Sequence, residues 1–181
     1  MKTAFKKPLL SGCLAVLLGL FSMAIMADPT WSYTYNNQGQ VLTMDGPRTD
    51  VNDVTSFSYD ARGNLTGIQN ALGHVIQLQN YNSRGQPGTI VDANGVVTEL
   101  AYHARGWLLT STVKDPEGKF KNDAVTEYGY DQVGQITRIT LPDGAALHFQ
   151  YDAAHRLIAV NNSLGERVTY TLDSDGNRIG E

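Results

Sequence analysis

Cysteine is almost missing from this 181-residue chain: Cys13 is the only one. A single cysteine can build neither a disulfide framework nor a thiolate zinc site. Basic residues are also few, 14 Lys and Arg against 18 Asp and Glu, for a net charge of −4. Neutralising a nucleic-acid backbone needs a basic surface, so no nucleic-acid partner is expected. With 41% hydrophobic and 18% charged residues, the composition excludes a disordered tail. The 18 glycines lack the three-residue period of collagen. No Gly-x-Ser-x-Gly, P-loop or dinucleotide fingerprint occurs, and His74, His103, His148 and His155 show no metal-ligand spacing. Neither a metal nor another cofactor is expected, nor an enzymatic activity.

The one long hydrophobic run is N-terminal. Lys2, Lys6 and Lys7 precede an apolar stretch over 9–26, followed by Ala27, Asp28 and Pro29. That order predicts a signal peptide over 1–27, cut after Ala27, and hence a secreted, cell-surface or periplasmic protein. The alternative is a retained membrane anchor, since 18 apolar residues can just span a bilayer. No positive charge follows the run as a stop-transfer flank, which favours cleavage. Leu10-Ser11-Gly12-Cys13 spells a lipobox, but the apolar run lies after the cysteine, on the wrong side. Removing Lys2, Lys6 and Lys7 leaves 11 basic against 18 acidic residues, a net charge of −7. Membrane contact is expected only through the leader.

The rest of the chain, 28–181, reads as one repeat copied about seven times. Tyr59-Asp60-Ala61-Arg62-Gly63 recurs at Tyr81 to Gly85, Tyr102 to Gly106 and Tyr130-Asp131 to Gly134. It recurs again at Tyr151-Asp152, with His155 in the glycine slot. Tyr35 to Gly39 opens the series, and Leu172-Asp173 to Gly176 closes it. The starts step by 24, 22, 21, 28, 21 and 21 residues. A second turn follows each first by about ten residues: Asn70 to Gly73, Asp92 to Gly95, Asp115 to Gly118 and Asn162 to Gly165, with Pro142-Asp143-Gly144 in the same slot. Asp or Asn opening a turn bonds the backbone ahead, and Gly at the fourth place takes the left-handed conformation of a type I turn with a G1 bulge. His is among the residues that tolerate positive φ. Turns every 10 to 12 residues predict about 13 short strands and no helix after the leader.

Alternation supports the strands. Thr55, Phe57 and Tyr59 share one face, as do Val96, Thr98, Leu100 and Tyr102; Thr126, Tyr128 and Tyr130; Leu147, Phe149 and Tyr151; and Val168, Tyr170 and Leu172. The other face is mostly polar, as in half-buried antiparallel strands. After each turn the pattern breaks: Leu65 and Ile68, or Ile136 and Ile139, are three apart, which a bulge beside the turn would reconcile. Residues 74–80 run out of phase with Tyr81 in the 22-residue step.

Y-D-x-x-G-x-L-T at 21-residue spacing resembles the YD repeat of the RHS (rearrangement hotspot) family, over Tyr35 to Gly176. The resemblance implies an all-β fold: an antiparallel meander of tandem hairpins forming a curved sheet or part of a β-shell. In bacterial members the shell encloses a C-terminal toxin. The family's Arg-aromatic-aromatic-Asp-Pro-x-x-Gly end motif is missing, and Asp115-Pro116-Glu117-Gly118 reads as a turn. The expectation is thus a truncated relative or the front piece of a larger protein. Its partners would be further repeats or a C-terminal toxin domain. The implied function is a non-enzymatic scaffold of a toxin-encapsulating or cell-surface shell. A carbohydrate- or cell-surface-binding module is the alternative, because the tyrosine column could stack sugars. An aromatic ladder between neighbouring hairpins explains the same column. With no helix to cover the apolar face, the repeats are expected to bind a hydrophobic dye or to self-associate through their ends.

Overall fold

The computed structural model describes residues 30–48, 50–115 and 122–181. The expected leader over 1–27 and its cleavage point lie outside the described residues, as does most of the Asp115 to Gly118 turn. Among the described residues all regular structure is strand, and no helix is long and apolar enough to cross a membrane. The strands, in chain order, are β1 (Ser32–Tyr35), β2 (Val41–Asp45), β3 (Thr55–Tyr59), β4 (Leu65–Gln69), β5 (Val75–Gln79), β6 (Thr89–Val91), β7 (Val97–Tyr102), β8 (Leu108–Val113), β9 (Ala124–Tyr130), β10 (Ile136–Thr140), β11 (Ala146–Tyr151), β12 (Leu157–Asn162), β13 (Arg167–Thr169), β14 (Thr171–Leu172) and β15 (Arg178–Gly180). β1 to β13 form one antiparallel sheet in sequence order, and β14 pairs with β15 apart from it. By compactness the chain divides between Val75 and Ile76, so β1 to β4 fall in the first unit and β6 to β15 in the second.

The meander follows from turn chemistry. Eleven hairpin turns among the described residues share one hydrogen-bond pattern, in which the fourth residue donates back to the first and the first donates on to the fifth. Asp60 is typical: its carbonyl accepts from Gly63 N at 3.0 Å, and its N–H donates to Asn64 O at 2.9 Å. The fourth residue has positive φ throughout, from 75° at Gly85 to 95° at Gly134, with His155 at 64°.

A bulge follows the Tyr35, Tyr59, Tyr102, Tyr130 and Tyr151 turns and settles the broken alternation. Tyr59 faces Leu65 and Ser58 faces Gly67, so Thr66 is the extra residue. Leu65 and Ile68 therefore share the face of Tyr59 and Phe57. Thr137 plays the same part between Ile136 and Ile139, Leu109 after Leu108, and Ile158 after Leu157. An inserted residue reverses the alternation locally and returns the strand to its partner's phase.

Two features differ from the periodic expectation. There are fifteen strands rather than about 13, because the strand over 167–172 breaks at Tyr170, whose N–H donates to Ile158 O at 2.8 Å beside the bulge of β12. The residues out of phase with Tyr81 have a local cause. Asn80 sits at φ 57°, and Gly88 N lies 3.0 and 3.1 Å from the Gln79 and Asn80 carbonyls. This second kind of bulge absorbs the extra residue of the 22-residue step. Gly88 is required there, since a Cβ would lie 2.8 Å from Asn80 O.

Burial is sparse. Only Ala146 and Ala159 are buried among the described residues. Apolar side chains such as Phe57, Ile68, Leu100, Tyr128, Phe149 and Val160 are half-exposed on one face. The opposite face carries paired polar residues, including Ser56 with Gln69, Glu99 with Thr112 and Arg138 with His148.

Candidate functional site

The residues that define the repeat meet along the row of Tyr-led turns. In nine turns the opening Asp or Asn uses Oδ1 to accept two backbone N–H groups, two and four residues on. Asp60, Asp131, Asp152 and Asp173 all do so at 2.8–3.0 Å. His103 takes over half of this role: its Nδ1 accepts from Arg105 N at 3.1 Å. These bonds set the electrostatics. The Asn64 side-chain amide, with backbone N–H groups, holds the Asp60 carboxyl below its ordinary value. For Asp152 the lead cause is the Arg156 backbone N–H, with the Arg156 guanidinium adding to it. The Asn177 amide leads for Asp173.

Four of the turns are tied to the previous repeat by their tyrosines. Tyr59 Oη donates to Val41 O at 2.9 Å, Tyr102 to Pro87 O at 3.0 Å, Tyr130 to Leu108 O at 2.8 Å and Tyr151 to Ile136 O at 2.8 Å. In every case the acceptor stands two residues after the turn glycine of the preceding repeat. Burial raises the hydroxyl pKa of Tyr102, and burial leads also for Tyr130 and Tyr151, aided by Tyr128 and Asp131 respectively. These hydroxyls are donors in a satisfied lattice, with the proton held by its carbonyl.

A second set of contacts runs forward from the residue just after the turn glycine. Gln40 Nε2 donates to Gly63 O at 2.8 Å, Gln86 Nε2 to Gly106 O at 2.7 Å and Gln135 Nε2 to His155 O at 3.0 Å. Arg156 Nη1 reaches Asp173 O at 3.1 Å. Arg84 and Arg105, just before their glycines, donate to the Ala104 and Gln132 carbonyls of the next turn. Trp107 occupies the forward slot in its repeat. It stacks on His103 at 5.2 Å, packs against Tyr130 at 5.3 Å and lies under the Arg105 guanidinium. Its ring also covers Gly134 so closely that a Cβ there would be 2.7 Å away.

The sequence placed Tyr59, Tyr102, Tyr130 and Tyr151 in register but named no partner for their hydroxyls. Nor did it single out Gln40, Gln86, Gln135 and Trp107, although their fixed place after each glycine was a readable signal. The four histidines are not brought together. His103 and His155 sit in turns, His74 closes the Asn70 turn, and His148 lies on the polar face opposite Arg138 and Asn161. Among the described residues no group of three His, Cys, Asp or Glu could hold a metal ion. Among the described residues, one open cavity of about 480 Å³ lies beside Arg48 and Asp45 and another of about 350 Å³ beside Asn80 and Glu99. The arrangement of the row organises backbone; it aligns no nucleophile with a base.

Comparison with known proteins gives the same pattern a lineage. A family model described as the teneurin YD-shell matches residues 21–176. The sequence is 29% identical over 146 residues to a protein of Dickeya dadantii named as a probable deoxyribonuclease RhsA, covering 69% of this chain and 9% of that protein. Among solved structures, the fold is similar to a TcdB2-TccC3-Cdc42 crystal structure, with a TM-score of 0.66 and 22% identity over 84% of this chain. It is also similar to a Photorhabdus luminescens Tc holotoxin pore, with a TM-score of 0.63 and 21% identity over 84% of this chain. The chain spans 9% of the length of each of these relatives.

Proposed function

Because the chain belongs to the teneurin YD-shell family, we propose that it is a non-enzymatic wall segment, a run of RHS/YD hairpins forming part of a toxin-encapsulating or cell-surface shell. The observation that carries this reading is the state of the apolar face. Fully burying a large apolar side chain contributes about 1.5–3 kcal/mol. Among the described residues none of the large ones is buried, and Ala146 and Ala159 alone are. A face of this kind is the inside of a wall whose cover is supplied by something else, either further repeats or enclosed cargo. The deoxyribonuclease name belongs to a relative of which this chain covers 9%, and among the described residues no group of three His, Cys, Asp or Glu could hold a metal ion. Lys2, Lys6 and Lys7 ahead of the apolar run support export, with residues 28–181 as the exported wall.

The test combines three measurements on the purified full chain: hydrophobic-dye fluorescence, DNA hydrolysis and retention on a glycan array. Dye binding with no hydrolysis and no glycan retention is expected. A dye-silent chain that retains glycans would replace the wall with a carbohydrate-binding module, and DNA hydrolysis that copurifies with the chain would make it an enzyme.

A further inference from the structure

The asparagines that open turns are held by their side chains. Asn82 Oδ1 accepts from Arg84 N at 2.9 Å and Gln86 N at 3.1 Å, while its Nδ2 donates to Gln86 Oε1 at 3.1 Å. Asn162 Oδ1 accepts from Leu164 N and Glu166 N, both at 3.0 Å, and its Nδ2 donates to Glu166 Oε2 at 2.6 Å. At the fifth place, Asn64 and Asn177 donate to the Asp that opens their own turn. A side chain bonded on both its atoms is not free to swing its amide carbon onto the following backbone nitrogen.

Asn94 is placed differently. It is the third residue of the Asp92 turn, where its backbone N–H donates to Asp92 Oδ1 at 2.8 Å and, among the described residues, nothing bonds its side-chain amide. Ala93, Asn94 and Gly95 are all exposed. Asn94-Gly95 is also the one Asn-Gly pair in the sequence. Gly95 has no side chain to screen its nitrogen, and nothing lies within 4 Å of its Cβ position. Its N–H donates to Asp92 O at 3.0 Å, so that bond must open before the nitrogen can react. The turn follows β6, a strand of three residues, and an exposed hairpin tip on so short a strand opens at low free-energy cost.

We propose that Asn94 is a modification site, at which the folded chain deamidates through its own backbone. The Gly95 nitrogen attacks Asn94 Cγ, a new C–N bond closes a five-membered succinimide, and the side-chain nitrogen leaves as ammonia, taking the proton that Gly95 gives up. Water then adds to one of the two ring carbonyls, and nothing is oxidised or reduced. Opening at the side-chain carbonyl leaves aspartate. Opening at the main-chain carbonyl leaves isoaspartate, whose backbone runs through Cβ and is one methylene longer. Either product adds a negative charge beside Asp92. Isoaspartate also puts an extra atom between the third and fourth residues of the turn, so Gly95 N and Val96 N cannot both keep their bonds to Asp92 O and Oδ1, at 3.0 and 2.9 Å. The β6–β7 hairpin is therefore where the sheet ages first. Asp143-Gly144 and Asp175-Gly176 hold the same two places in their turns, but an ionised carboxylate is a poorer electrophile than an amide and reacts later. The site rests on turn geometry alone and stands whether or not the chain lines a shell.

The experiment keeps the purified full chain in mildly alkaline buffer, folded or unfolded in urea, and maps its peptides by mass spectrometry over time, with isoaspartate scored by an isoaspartyl methyltransferase. In the folded chain the first peptide to gain one mass unit should be the one that holds Asn94, with isoaspartate exceeding aspartate. Asn82 and Asn162, each followed by serine, should stay intact over the same period and react faster in urea, where their bonds are gone. Asn94→Gln should remove the early gain, and the aged natural chain should melt below the Asn94→Gln chain aged beside it. Asn82 or Asn162 reacting as early as Asn94 in the folded chain, an aspartate product free of isoaspartate, equal melting of the two aged chains, or Asn94 intact when folded over the time in which urea converts it would each overturn the proposal.

Discussion

The two rows of turns, one at each end of the strands, use the same local code for different purposes. The Asp60, Asp131 and Asp152 turns and the Asn70, Asp92 and Asn162 turns have the same backbone bonds, the same Asx acceptor and the same positive φ at the fourth residue. The first row is stitched to its neighbours by tyrosine hydroxyls, glutamine amides and Trp107. The second row is more open: Gly95, Gly144 and Gly165 have nothing within 4 Å of their Cβ positions, Leu72 and Leu164 are 80% and 85% exposed, and the side-chain tie there is Ser163 Oγ accepting from Ala146 N at 3.2 Å. Both longer connections, 46–54 and 114–123, fall on the more open row. Each is closed by an Asp side chain, Asp53 accepting from Gly46 N and Asp123 from Asp115 N, both at 3.2 Å. Lys114 braces the second of these against Asp123 at 2.8 Å and Glu99 at 3.3 Å. A turn sequence therefore makes a hairpin unaided, but only contacts between hairpins fix the spacing of the row. The more open edge accepts extra residues because no tyrosine or glutamine of the repeat has to reach a neighbouring turn there.

The largest expected effect comes from placing the same substitution in each row. Gly134→Val puts a β-branched side chain at φ 95° and into the Trp107 ring. Backbone strain of about 1–2 kcal/mol and overpacking of about 1–3 kcal/mol should together cost about 4 kcal/mol. Gly144→Val meets open space at φ 87° and should cost about 2 kcal/mol, from the backbone alone. Thermal or urea unfolding of both variants reads the difference. Equal losses would mean that the stitched row carries no extra packing.

Tyr151→Phe removes one stitch and leaves its ring in place. The Ile136 carbonyl loses a donor at 2.8 Å, and a loss of about 1 kcal/mol is expected. If the melting temperature is unchanged, the tyrosine column contributes through its rings and not its hydroxyls.

The smallest effect is the acid dependence of the stitched row. Asp60, Asp152 and Asp173 have folded pKa values below the ordinary 3.8. Their contribution is present above that value and is lost as pH falls through the lowered folded values, because the unfolded chain takes up protons first. The melting temperature should hold from pH 7 to about 5 and fall below about 4. Asp152→Asn keeps the Oδ1 acceptor for Ala154 and Arg156 but gives up the charge facing the Arg156 guanidinium, so its acid-induced fall should be shallower. An identical fall in the variant would remove Asp152 as a contributor.

The sequence by itself determined whatever lies within five residues. Asx at the first place and glycine at the fourth specify the turn, and the apolar pair three apart, such as Leu65 and Ile68, specifies the bulge that restores the face. Even His155 was legible in the glycine slot, because imidazole tolerates the left-handed backbone that the turn requires. The tertiary structure alone decided what joins residues 8 to 27 apart: the carbonyl that each of these tyrosines meets, the covering of Gly134 by Trp107, and the Asn80 bulge that corrects the 22-residue step. The physical reason is range. A turn closes through bonds within its own residues, whereas a hydroxyl finds its acceptor only after strand register is fixed, and register is a property of the assembled sheet.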